Sequence, residues 1–111
     1  MVKQGTIIKI NLKPQSGHEQ AGHIPAVVIS NDIFNEKARL SIVCPITNTN
    51  NDFPLHVPLD TRTKTTGVIL CEHIKALDLN SRTYQVIENL PKDILQNVID
   101  IVYSEIEQIE D

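Results

Sequence analysis

The chain has 111 residues, 41% hydrophobic and 22% charged, enough for one compact core and too few for two. Its formal net charge of −4 argues against an extended phosphate-binding surface, which would show as an excess of Lys and Arg. No apolar stretch approaches the roughly 20 residues of a membrane helix, which excludes a helical span.

The average charge hides an asymmetry. Residues 1 to 85 hold nine Lys/Arg against seven Asp/Glu, a net of +2, whereas residues 86 to 111 hold one against seven, a net of −6. A mildly basic body with an acidic tail is compatible with a short nucleic-acid contact. Cys44 and Cys71 each lie inside an apolar run without a paired cysteine motif, as expected of reduced, buried thiols. Met1-Val2-Lys3-Gln4-Gly5 lacks a secretory apolar segment, so the expectation is a soluble cytoplasmic protein forming a single domain over residues 1–111.

In chain order, Thr6 to Leu12 alternates apolar residues at 8, 10 and 12 with polar ones, the period of a half-buried strand. The polar stretch from Pro14 to His23, with two glycines, predicts a long loop. Pro25 to Ser30 is a β-branched run too short for a helix and predicts a buried strand, ended by Asn31-Asp32. Arg39 to Thr47 predicts a third strand, closed by the polar turn residues 48–52. Phe53 to Leu59, with two prolines, predicts an edge strand. Thr66 to Asp78 predicts a fifth strand bent near Glu72, and Tyr84 to Ile87 a short sixth. From Pro91 onward Ile94, Leu95, Val98, Ile101, Val102, Ile106 and Ile109 recur at helical spacing, and Pro91 and Asp93 suit the first turn of an amphipathic helix. Short strands followed by one terminal helix predict a mainly β protein, a small barrel closed or flanked by that helix.

The segment Gly17-His18-Glu19-Gln20-Ala21-Gly22-His23-Ile24-Pro25, leading into the buried run at Ala26, resembles the Gly-x-Glu-x-x-Gly-x-Arg-Pro loop of the PemK/MazF toxins. Pro45-Ile46-Thr47, the edge segment Phe53 to Leu59, and Gly67 to Asp78 followed by Arg82 extend the similarity over nearly the whole chain. The resemblance implies an SH3-like barrel of the Kid/MazF/CcdB type. It implies the toxin of a type II toxin–antitoxin pair, a homodimer that cuts single-stranded RNA without a metal or other cofactor, leaves a 2′,3′-cyclic phosphate and is blocked by an antitoxin. Such chemistry requires a base for the 2′-hydroxyl, an acid for the leaving 5′-oxygen, and donors for the phosphate charge. By position, Thr47, Asp78 and His23 are implied as catalytic residues, and His18, Glu19, Gln20, His73, Lys75 and Arg82 as RNA-binding residues.

Two positions depart from the family. His73 stands where glutamine is common, and both residue types can hydrogen-bond to RNA. Ile24 stands where the family carries the arginine used at the scissile phosphate, and isoleucine has no donor, charge or proton to give. Three explanations stay open: deliberate inactivation, compensation by His18, His23 or Lys75, or a relative that binds RNA or antitoxin without cutting. A gyrase-inhibiting toxin of the CcdB type, which shares the fold, is the alternative activity.

Overall fold

A computed structural model describes residues 1–11, 23–49 and 52–110. Among the described residues, seven strands form one antiparallel sheet: β1 (Thr6–Asn11), β2 (His23–Val28), β3 (Ser41–Thr47), β4 (His56–Pro58), β5 (Val68–Leu70), β6 (Lys75–Leu77) and β7 (Tyr84–Asn89). Helix α1 (Asp32–Ala38) joins β2 to β3, and helix α2 (Lys92–Ile106) follows β7. The strand order is β4-β5-β3-β2-β1-β7, and β6 also pairs with β3. This is the expected mainly β architecture with a C-terminal helix.

β1 is more buried than a half-buried strand. Ile8 and Ile10 face one core with Ala26, Val28, Val43, Leu77 and Leu79, while Ile7 faces a second core with Val27, Cys44, Ile46, Ile69 and Cys71. A strand clad on both faces loses its alternation, and here only Lys9 keeps a side chain outside. Helix α2 covers the second core with Ile94 and Val98, backed by Leu95, Ile101 and Val102. Each such side chain removed from water contributes roughly 1.5–3 kcal/mol. The expected apolar stripe stops short of the helix end: Ile106 is exposed, and Ile109 lies beyond the last turn and is also exposed.

The run expected as one bent strand from Thr66 to Asp78 is two strands. β5 pairs with the C-terminal end of β3 (Ile46↔Ile69, Thr47↔Val68), and β6 pairs with its N-terminal end (Ser41↔Leu77, Val43↔Lys75). The intervening residues 71–74 turn the chain at the expected place. Helix α1 was not expected from sequence. Asn31 caps it by accepting a hydrogen bond from the Phe34 amide at 2.8 Å, and Arg39 ends it in a left-handed conformation. Its one buried residue is polar: the Asn35 side-chain amide donates to the carbonyls of Val2 and Ser30, and its side-chain oxygen accepts from the Ser30 hydroxyl.

Candidate active site

The end of β3 that carries Thr47 is fixed from both sides. On one side β2 and β3 pair as Val28↔Val43, Val27↔Cys44 and Ala26↔Pro45. The pairing ends there, two residues before Thr47 on β3 and two after Ile24 on β2, and Ile24 itself pairs with Ile10 of β1. On the other side Thr47 pairs with Val68. Gly67, just before it, has φ +118°, and a Cβ there would lie 2.3 Å from the Thr47 carbonyl oxygen. Only glycine permits that approach of β5 to β3. The Thr47 hydroxyl accepts from the Thr49 amide at 3.1 Å and so retains a proton to donate.

Thr47 opens onto a groove lined by Thr49, Phe53, His56, Leu70, Glu72 and His73. The pairing His56↔Leu70 brings β4 to this face. His56, whose side chain is only 7% exposed, contacts Glu72 Oε2 through Nε2 at 2.9 Å and meets the Phe53 ring edge-on at a centroid separation of 5.3 Å. His73, 56% exposed, brings its own Nε2 to 3.6 Å from the same Glu72 oxygen. One carboxylate therefore faces two imidazoles, one buried and one open to the groove. Burial pushes the Glu72 carboxyl up, but hydrogen bonds from its own backbone amide and from His56, with the charges of His56 and His73, hold it below the usual carboxylate range. Sequence reasoning missed Glu72 and His56 as site residues. Their partnership spans 16 residues and depends on the β4–β5 register.

The other sequence-predicted residues divide. His23 begins β2 opposite Asn11, and its Nδ1 is buried without a hydrogen-bond partner among the described residues. The Arg82 guanidinium donates to the Asn11 carbonyl at 2.9 Å, at the same end of the sheet as His23. Lys75 is exposed on β6, opposite Val43 and two positions beyond the His73 turn. Asp78 is not brought to Thr47. It follows Leu77, which pairs with Ser41 at the opposite end of β3, about 20 Å along the strand by standard rise. There its carboxylate accepts from the Asn80 amide at 3.0 Å and caps the 3-10 turn Leu79–Ser81. His18, Glu19 and Gln20, with the rest of the predicted loop up to Gly22, lie outside the described residues.

The cysteines take no part in this chemistry. Cys44 and Cys71 are free and buried, and burial pushes both thiols up to about 12, so neither supplies a thiolate near neutral pH.

Residues 3–104 match the family described as PemK-like, MazF-like toxin of type II toxin-antitoxin system. The chain is 31% identical over 102 residues to endoribonuclease PemK of Escherichia coli, covering 88% of this chain and 77% of that protein. Among solved structures, MazF from Deinococcus radiodurans superposes with a TM-score of 0.81 at 33% identity, covering 94% of each chain. A MazE–MazF structure from the same organism gives 0.82 at 30% identity, again covering 94% of each. With a family match over nearly its whole length and a relative of this identity, the chain belongs to the PemK-like, MazF-like toxins of type II toxin–antitoxin systems.

Proposed function

We propose that the chain is a metal-independent endoribonuclease that cuts single-stranded RNA at short sequences and leaves a 2′,3′-cyclic phosphate. It acts as the cytoplasmic toxin of a type II pair, as a homodimer restrained by a cognate antitoxin, with residues 1–111 as one toxin domain. The observation that carries this reading is the placement of Thr47, at the end of β3, in a groove with His56, Glu72 and His73, in a chain similar to an endoribonuclease. A hydroxyl donor and imidazoles in one open groove suit a phosphodiester, whose reaction needs proton transfer and relief of negative charge.

In this reading Thr47 donates to the scissile phosphate. His23 and Ile24 serve it from β2, Lys75 and His73 contact the RNA, and Arg82 holds the end of β1 beside His23, ahead of His18, Glu19 and Gln20 in the chain. Asp78, a strand's length away and engaged in its own turn, stays outside the reacting set. Ile24 leaves the phosphate short of one cation and attenuates the rate. The neighbours bearing MazE–MazF names support an antitoxin partner. Among the described residues no helix is long and apolar enough to cross a membrane. The gyrase-poison alternative draws no support from the family match.

The test is incubation of the chain with a long single-stranded RNA in the presence of a chelator, with chemical mapping of the new ends. The expected result is discrete cuts bearing cyclic phosphate and 5′-hydroxyl termini. Intact RNA at micromolar protein would overturn the reading. A parallel incubation with gyrase and supercoiled DNA should show no effect.

A further inference from the structure

Three titratable groups meet in the groove beside Thr47, and among its described lining residues they are the only ones. Their arrangement is graded. His56 is enclosed and packed against Phe53, Glu72 is partly covered, and His73 is open. A buried imidazole bonded to a carboxylate fixes that carboxylate's rotamer, and the fixed charge then attracts the second imidazole, which lies 3.6 Å from the same oxygen. Resting on the endoribonuclease reading, we propose that His73 is the general acid of the cleavage and that Glu72, held by His56, is its positioning residue.

The step balances without any further reactant except water. The 2′-oxygen attacks phosphorus and forms the new O–P bond, and its proton passes to water. The bond from phosphorus to the 5′-oxygen breaks, its electron pair goes to that oxygen, and the His73 imidazolium supplies the proton. The products are a 2′,3′-cyclic phosphate and a 5′-hydroxyl, and neutral His73 regains its proton from solvent. The imidazolium is the form that can both offset phosphate charge and donate, and Glu72 stands 3.6 Å from it. Elements packed around the cluster bring other groups that also feel the charge on Glu72: His56 from β4, Glu105 from α2, Cys44 from β3, and Cys71 from the turn itself. The thiols remain neutral across the range in which imidazole titrates, and Glu105 is the one additional anion among them.

The experiment compares RNA cleavage by the full chain, His73→Gln and Glu72→Gln between pH 5 and 9. It uses two oligoribonucleotides, one with an ordinary 5′-oxygen at the cut and one with a bridging 5′-sulfur, a leaving group that needs no proton. On the oxygen substrate, His73→Gln is expected to lose about a hundredfold in rate and to lose the decline on the alkaline side of the pH profile. On the sulfur substrate it should stay within about threefold of the unmodified chain, a rescue that a structural role would not produce. Glu72→Gln should lose about tenfold on the oxygen substrate and stay within about threefold on the sulfur one, because the imidazole loses the anchor that aims it at the leaving oxygen. Because His73 is exposed, its glutamine variant should keep the parent's thermal midpoint. Equal losses on both substrates, or an unchanged alkaline limb, would overturn the role of His73 and leave the nuclease reading standing. Absence of cleavage by the unmodified chain on either substrate would overturn both.

Discussion

On the proposed reading, the side chain at Ile24 limits how much catalysis the groove can deliver. It pairs with Ile10 and is half-buried, two residues before the Ala26↔Pro45 pair that ties β2 to β3. An arginine there would keep its aliphatic stem against Ile10 and carry its guanidinium out toward the groove, so the substitution suits the site sterically. One preorganised donor at a developing charge is typically worth on the order of a hundredfold to a thousandfold in rate. Ile24→Arg is therefore expected to raise the initial rate of single-stranded RNA cleavage at least tenfold. An unchanged rate would show that the defect lies elsewhere. Ile24 stands out in the sequence itself, because it sits inside a recognisable run from Gly17 to Pro25. The Glu72 pair of imidazoles was not legible, since His56 alone on an edge strand gives no sign of a partner 16 residues on.

Elements were readable where apolar residues dictate them and unreadable where polar ones do. The strands at β1, β2, β3 and β7 and the helix α2 follow from β-branched runs or from 3.6-residue spacing. Helix α1 has no apolar stripe to read: Ile33 is exposed, and the residue it buries is Asn35. Its cap, Asn31 followed by Asp32, is the available signal, and the same two residues equally suit the end of the strand before them. The close approach of β5 to β3 at Gly67 yields a prediction at this scale. Gly67→Ala forces the new Cβ against the Thr47 carbonyl in a backbone conformation that alanine resists, so the Thr47↔Val68 pairing must open. The expected cost is about 2–4 kcal/mol, seen as a fall in thermal midpoint of roughly 10 °C, with RNA cleavage reduced even where the variant remains folded. Gly5→Ala is the control. Its φ is also positive, but the new Cβ would meet only the end of the Leu95 side chain at 3.1 Å, so it should cost about 1 kcal/mol and spare cleavage of the RNA. Equal loss of activity in both variants would show that Gly67 acts through general stability and not through Thr47.

Across the whole molecule, the last turn of α2 carries Glu105 within range of the charge on Glu72. The carboxyl of Glu105, in the last turn of α2, is raised above its ordinary value first by burial and then by the charge on Glu72, whereas Glu72 is itself lowered. The two carboxylates thus affect folding with opposite signs. A carboxyl whose folded pKa is raised binds its proton more tightly in the native state, so its ionisation destabilises the fold as pH rises through the carboxylate range. A lowered one gives stability that is present above its unfolded pKa and is lost as pH falls through the folded value. Glu105→Gln should therefore raise the thermal midpoint at pH 7, with the gain fading toward pH 4 as the native glutamate takes up its proton. Glu72→Gln should lower the midpoint at pH 7, with the loss fading as the pH falls through the depressed value of the native carboxyl. If the two charges oppose each other through space, the double variant will differ from the sum of the single ones, because Glu105→Gln removes a repulsion that exists only while Glu72 is charged. Additive midpoints at pH 7 would leave burial alone as the cause of the Glu105 shift and would uncouple the end of α2 from the groove.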